Sequence, residues 1–255
     1  VIDNTDDVLR MGDLVFWGGE GDVGFFIEPD GFTGWEDAPP TRSENLDRVG
    51  HGSFDAPEYY EARVLSVSGL CRARSAPELG ARRNTLVGAL QGLLRLDVRY
   101  QGPRASVHGR RFGQPYFRTI VPGRIARYQF SVRCPDPLKY GEVREFRSAG
   151  NEQVSFWHRG NFAAAPVHVV SGSGPGYTIN GPDGKRFIVR EPVTPDRPHT
   201  VDMATGQVTI GGTVRYGIVD RADTWAARPD VQELARLVPG GGAMSMLTRT
   251  KDTDI

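Results

Sequence analysis

The sequence predicts a mostly β protein with one main helix, divided into two domains, the second of them a β-sandwich. Three observations carry that prediction. The chain has 255 residues, enough for two domains of ordinary size. Its 32 glycines and 18 prolines suit a backbone that turns often. Its apolar residues fall mainly in short alternating runs bounded by turn chemistry.

From the N-terminus, residues 13–17 and 23–27 read as strands paired across a turn at Gly18–Gly21. Residues 30–57 read as loop, with Pro39-Pro40 and little periodicity. Residues 59–68 alternate and are rich in aromatic and branched side chains, which predicts a strand ending at Gly69. Ser75 and Glu78 have capping-box spacing, so a helix is expected over 76–91. Leu79, Leu86, Val87, Leu90 and Leu94 share its apolar face, Arg82, Arg83 and Gln91 point elsewhere, and Gly92 is the stop. Leu94, Leu96, Val98 and Tyr100 then alternate with Arg95, Asp97 and Arg99. Ala126, Tyr128, Phe130 and Val132 repeat the pattern against Arg127, Gln129 and Arg133. Both read as strands with one wet face.

Cys134-Pro135-Asp136-Pro137 ends the second of these, because proline removes ladder donors and restricts its predecessor. The domain boundary is placed there, giving domains 1–136 and 137–255. Short strands follow at 154–157, 167–170, 177–180, 185–189, 200–203, 207–210 and 214–218. Asn180-Gly181, Asp183-Gly184, Thr205-Gly206 and Gly211-Gly212 supply their hairpin turns. Strands at this spacing indicate a sandwich. Residues 229–237 read as a short surface helix after Pro229. Residues 243–250 read as a closing strand, a candidate to return to the N-terminal domain, with a frayed tail beyond.

Reactive chemistry is hard to find. Lys plus Arg and Asp plus Glu both total 31, so the whole-surface positive field of a general nucleic-acid binder is missing. Arg72, Arg74, Arg82 and Arg83, and Arg110 with Arg111, read as solvated faces or a protein interface. No apolar run approaches the roughly 20 residues of a membrane span. The acidic start (Asp3, Asp6, Asp7) is the reverse of a secretory leader and reads as a mobile end. Its calcium-loop-like alternation fails where Val8 and Leu14 replace the required glycine and glutamate. Cys71 and Cys134 stand far apart, which fits a reducing cytoplasm rather than a disulfide scaffold.

Gly19-Glu20-Gly21-Asp22-Val23-Gly24 matches the dinucleotide fingerprint, but Phe25-Phe26-Ile27 runs into Pro29-Asp30-Gly31, where no phosphate-binding helix can start. A hairpin turn is the better account. Gly172-Ser173-Gly174-Pro175-Gly176 is weaker still. His51, His108, His158, His168 and His199 share no metal-ligand spacing and read as surface or partly packed residues. Cys71, beside Arg72, reads as a buried structural thiol ahead of an activated one. No G-x-S-x-G elbow is present, and adjacent Glu36 and Asp37 cannot cooperate on a strand. No catalytic, cofactor-binding or metal residue is therefore expected, and no enzyme.

Several phrases nonetheless stand in a recognisable order. They are Gly34-Trp35-Glu36-Asp37-Ala38-Pro39, Tyr59-Tyr60-Glu61-Ala62-Arg63-Val64, Cys134-Pro135-Asp136-Pro137-Leu138-Lys139-Tyr140 and Asn161-Phe162-Ala163-Ala164-Ala165-Pro166, followed by the hairpin Val201–Val208 and Pro239-Gly240. Together the chain resembles the distal tail proteins (Dit, or minor tail proteins) of long-tailed siphophages. It departs from their pattern at Phe162, where glycine is usual, and after Pro239-Gly240, where an asparagine is missing.

The resemblance implies a belt-type, ring-forming β domain over 1–136 and a galectin-like β-sandwich over 137–255. It implies a virion structural protein forming a homohexameric ring at the distal end of the tail, linking the tail tube to the tip or baseplate. Implied partners are further copies of itself, the tail tube protein, and hub and fibre proteins of the tip; the location is the virion tail tip, after assembly in the host cytoplasm. A neutral subunit suits a ring, where strong like charge would repel across each interface. Trp35, Phe54, Tyr59 and Tyr60 are candidate interface aromatics, with ordinary core residues as the alternative. The rival reading is a carbohydrate-binding module. There the second domain takes a host cell-wall saccharide as ligand, with Trp157, Trp225 and Tyr177 as stacking platforms or, equally, core.

Overall fold

A computed structural model describes residues 7–16, 23–42, 46–47, 51, 53–54, 59–148 and 153–255. The chain divides into two compact units, residues 1–139 with Ile255 and residues 140–254. Among the described residues it is mostly β, with one α-helix.

The first unit holds β1 (Val8–Met11), β2 (Leu14–Phe16), β3 (Gly24–Thr33), β4 (Thr41–Arg42), β5 (Leu46–Asp47), β6 (Ser53–Phe54), β7 (Tyr59–Tyr60) and β8 (Arg63–Arg72). Then come α1 (Ala76–Ala89), β9 (Leu94–Arg99), β10 (Ala105–Val121) and β11 (Ile125–Cys134). Strands β11, β8, β3, β2, β1, β9 and β10 are neighbours in that order, and β10 pairs back onto β11. The sheet thus closes on itself as a barrel, which removes free edges. The alternation that predicted strands supplies its filling. Leu65, Val67 and Cys71 of β8, Leu94, Leu96 and Val98 of β9, and Ala126, Tyr128, Phe130 and Val132 of β11 all point into one core. At its centre the rings of Phe16, Phe25, Tyr128 and Phe130 lie 5.4–6.3 Å apart. Burying each such ring contributes about 1.5–3 kcal/mol.

Two expectations for this unit are corrected. Phe16 pairs with Phe25 in parallel, so residues 13–17 and 23–27 are not an antiparallel hairpin; a parallel pair cannot be joined by a tight turn. The antiparallel partner of β2 is β1, with Met11 opposite Leu14. Residues 17–22, holding most of the glycine fingerprint, lie outside the described residues, and Gly24 opens a strand. The expected loop over 30–57 also contains the end of β3, the short ribbon β5–β6, and β4, which pairs with β7 beyond it.

The helix starts where its capping chemistry demands. The Ser75 hydroxyl accepts from the Glu78 amide, and the Glu78 carboxylate accepts from the Arg74 amide at 2.8 Å and from Arg82 at 2.8 Å. Those donors, the backbone N–H of Arg74 first, hold the Glu78 carboxyl below its usual range. Leu79, Leu86 and Leu90 are buried, but Val87 is exposed and Leu94 belongs to β9, so the apolar face is narrower than expected. Gly92, at φ 76°, takes the left-handed conformation that stops the chain.

The second unit holds β12 (Lys139–Arg147), which begins one residue before it, β13 (Gln153–Phe156), β14 (Val167–Ser173), β15 (Tyr177–Asn180), β16 (Arg186–Val189), β17 (His199–Asp202) and β18 (Gln207–Ile210). It ends with β19 (Thr213–Arg215), β20 (Val219–Ala222), β21 (Glu233–Pro239) and β22 (Ala243–Asp254). One sheet runs β12-β22-β14-β17-β18-β19 and the other β13-β21-β15-β16-β20. Val154, Phe156, Ile179, Phe187, Val201, Val208 and Leu237 form a core contributed by both sheets.

The expected helix over 229–237 is corrected to a central strand. Glu233, Ala235 and Leu237 are buried while Leu234, Arg236 and Val238 face out, a period of two. Glu233 tolerates burial because Arg228 Nε donates to its carboxylate at 2.7 Å. The expected frayed tail is instead ordered strand, with Thr253 buried, and β22 pairs with β14 inside this unit.

Candidate functional site

Two features of the first unit stand out from an otherwise ordinary core. One is a cleft of about 720 Å³ built around the start of β8. Gly34, at φ 83°, lets the chain turn beneath β8, where a Cβ would lie 2.0 Å from the Val64 carbonyl oxygen; only glycine fits. The turn brings the carbonyls of Gly34, Trp35 and Asp37 around Arg63, whose Nη1 donates to them at 2.6, 3.3 and 2.8 Å. Arg63 Nε donates to the Pro137 carbonyl at 2.9 Å. One buried guanidinium thereby ties together three of the phrases that carried the resemblance. Tyr59 and Tyr60, in the β4–β7 ribbon, stand exposed at the cleft with Arg42, Glu61 and Arg133.

The other feature is β10. Its first part alternates inward at Ala105 and Val107, but from Arg110 onward it is mostly exposed. Phe112 and Ile120 are each 53% exposed, and Tyr116 and Val121 are exposed beside them. A register shift against β11 between Phe112 and Tyr116 re-aims this segment. Large apolar side chains clustered on one surface strand are the composition of a contact surface rather than of a solvated one.

The candidate aromatics separate cleanly. Tyr59 and Tyr60 are exposed, whereas Trp35 is core, packed on Phe32 at 6.1 Å and under the Lys139 ammonium at 5.5 Å. The Phe54 side chain lies outside the described residues. In the second unit Trp225 and Tyr177 are buried, so neither is a stacking platform. Trp157 is half-buried, with Arg144 and Arg159 guanidinium groups 4.9 and 5.4 Å from its ring centre and Phe146 against its edge. That ring too is already engaged.

The reactive residue types are placed for packing. His158, His168 and His199 are fully buried, correcting the expectation of surface or partly packed imidazoles; His51 and His108 are exposed. Sequence spacing could not show this, because an imidazole's burial depends on partners distant in the chain. His158 donates from Nε2 to the Ala227 carbonyl and accepts at Nδ1 from the Gly160 amide, which assigns its neutral tautomer. Burial pushes the thiols of Cys71 and Cys134 up to about 11, so neither is an activated nucleophile. No cluster of three or more metal-ligating side chains occurs among the described residues. No helix among them is long and apolar enough to cross a membrane.

No family model matches the chain, and no curated protein does. Solved structures do. The crystal structure of phage SPP1 Dit (gp 19.1), described as a paradigm of the hub adsorption apparatus in phages infecting Gram-positive bacteria, superposes with a TM-score of 0.77. The match covers 98% of this chain and 99% of that one, at 14% identity. This chain has the Dit fold. The phage P2 baseplate in its activated conformation, with Ca and with Sr, matches at a TM-score of 0.52 and 7% identity, over 95% of this chain and 97% of that one. Arg63 and the exposed part of β10 are what sequence reasoning missed within this fold. Arg63 sat in a quoted phrase with nothing to mark it as buried, and Phe112, Tyr116 and Ile120 look like any strand aromatics and aliphatics.

Proposed function

We propose that this chain is a virion structural protein with no catalytic role. It forms a six-fold ring at the distal end of a siphophage tail, assembled in the host cytoplasm, and joins the tail tube to hub and baseplate proteins. The observation that carries the reading is the end-to-end match to a hub adsorption protein, with both units present and both chains almost wholly covered. The exposed apolar strip on β10 and the exposed Tyr59–Tyr60 pair support it, since a closed ring needs a patch that meets a different patch on the next copy.

Sedimentation of the full chain, combined with electron-microscopic class averages, tests this. Six-fold rings are expected. A monomer at every accessible concentration that also fails to associate with purified tail tubes sinks the proposal. Phe112→Ser with Ile120→Ser sharpens the test: anchors buried in an interface lose about 2 kcal/mol or more each. Because both side chains are exposed in one chain, subunit melting should move by no more than about 0.5 kcal/mol per substitution.

A further inference from the structure

Two outward-built features of the first unit sit at one height on its sheet and carry opposite charge. The β8–β11 ladder runs unbroken from Arg63–Cys134 to Arg72–Ile125. Both strands that flank it bulge. In β10, Gly113, Gln114 and Pro115 stand against Phe130 alone. In β3, Glu28, Pro29, Asp30 and Gly31 stand against Ser68 alone. Ser68 lies on the rung next to that of Phe130, so the two bulges are level across β8 and β11. Extra residues of this kind bend a strand and re-aim its side chains.

On β10 the result is a platform. Arg110, Phe112, Tyr116 and Arg118 lie beside Arg133, Ser131, Gln129 and Arg127 of β11. Those β11 residues alternate with buried Val132, Phe130 and Tyr128, so the four β10 side chains share the outer face. Ile120, two residues past Arg118, is exposed with them. Residues 105–121 contain Arg110, Arg111 and Arg118 and no Asp or Glu. On β3 the result is a knob. Arg127 Nη2 holds Glu28 at its base at 3.0 Å, and Pro29 and Asp30 are exposed at its tip. Asp30 takes a left-handed φ of 60°, a conformation uncommon outside glycine, so the shape of the tip is maintained against backbone strain. Residues 28–37 contain Glu28, Asp30, Glu36 and Asp37 and no Lys or Arg. Among the described residues, neither Asp30 nor any of the three β10 arginines forms an ion pair.

We propose that the acidic β3 knob of one copy docks on the basic, apolar β10 platform of the next, with Asp30 meeting Arg118 and with Pro29 on Phe112, Tyr116 and Ile120. The occupant is a second copy of this chain because the complement of each patch is on the chain itself. With 31 basic and 31 acidic residues, copies attract only where local patches of opposite sign meet. Knob and platform are different surfaces, so the contact is heterologous, the kind that closes a ring. This rests on the ring reading above and names the two surfaces that ring would use.

The test uses full chains and reads self-association by sedimentation. Asp30→Lys and Arg118→Glu should each weaken it by about tenfold per contact, because like charges then face each other. An equal mixture of the two variants should recover assembly, since each chain offers the other an opposite charge at both surfaces. The double variant, carrying both changes in one chain, should assemble alone. Damage to the fold or to an unrelated contact gives no such rescue. Asp30→Asn, which suits the left-handed backbone, removes the charge without added strain and should weaken association by about threefold.

Self-association that neither reversal alters overturns the docking and leaves the ring reading to other surfaces. Where the wild-type chain stays monomeric, disulfide trapping decides. Chains carrying Asp30→Cys should cross-link to chains carrying Arg118→Cys about tenfold faster than to chains carrying Tyr216→Cys, an exposed position of the second unit. Equal rates overturn the docking, and association with tail tubes then judges the ring reading separately.

Discussion

Among the described residues the first unit buries one cation, Arg63, and surrounds it with carbonyl oxygens, whereas the second buries, besides the Arg228-paired carboxylate of Glu233, the polar rings of His158, His168, His199, Trp225 and Tyr177. The difference lies in what each can lose. A guanidinium stays charged at any ordinary pH, so its cage is insensitive to acid. An imidazole is tolerated only while it is neutral. His168 contacts Thr248 through Nδ1 at 2.9 Å, and its Nε2 has no partner among the described residues. Desolvation alone therefore pulls its pKa from 6.5 down to about 3. Two β units of one chain thus share a packing principle and differ in their response to protons.

The largest expected effect tests whether the units have independent cores at all. Phe130→Ala in the first unit and Phe187→Ala in the second each empty a fully buried site and should cost about 3–5 kcal/mol. Calorimetry should resolve two transitions, with each substitution lowering only its own. If both transitions move together, the contrast between the units has no thermodynamic meaning.

The second effect is acid lability from the buried imidazoles of the second unit. An unfolded imidazole takes up its proton near pH 6.5, and folded His168 does so only near 3. Between those values the unfolded chain binds the extra proton, so stability is fully present above about 6.5 and is lost as pH falls. At pH 4 the loss from His168 alone is on the order of 3 kcal/mol. Burial lowers the pKa of His199 in the same direction. Melting of wild type and His168→Gln at pH 7 and pH 4 should show a smaller pH-dependent drop in the variant. An equal drop in both would remove His168 from the account.

Two smaller effects belong to α1 and should leave the second unit untouched. Ser75→Ala removes the N-cap acceptor and should cost about 1 kcal/mol of the first unit. Gly80→Ala adds a methyl group where nothing lies within 4 Å, in the helix interior, and should stabilise the first unit by up to about 1 kcal/mol. A destabilising Gly80→Ala would mean that the open space beside Gly80 is already filled in solution. That outcome would extend the assembly surface beyond β10.

What the sequence determined by itself was local. The alternation of Leu94, Leu96 and Val98 and of Tyr128, Phe130 and Val132, the cap at Ser75, and the glycine turns at Asp183-Gly184 and Thr205-Gly206 all follow from period, propensity and backbone freedom. Each is settled within a dozen residues. The order of Gly34-Trp35, Tyr60-Glu61-Ala62-Arg63 and Pro135-Asp136-Pro137 also pointed to the right fold. What only the tertiary structure decided was pairing across long separations. Phe16 meets Phe25 in parallel, β10 folds back to close the barrel, and residues 233–239 become a central strand because β13 and β15 flank them. The same holds for burial of polar groups. Nothing in the spelling of Tyr-Glu-Ala-Arg distinguishes a solvated arginine from one caged by Gly34, Trp35, Asp37 and Pro137, since the cage comes from residues 26–74 positions away. Periodicity records which face a residue takes, and only the assembled chain supplies the groups that face meets.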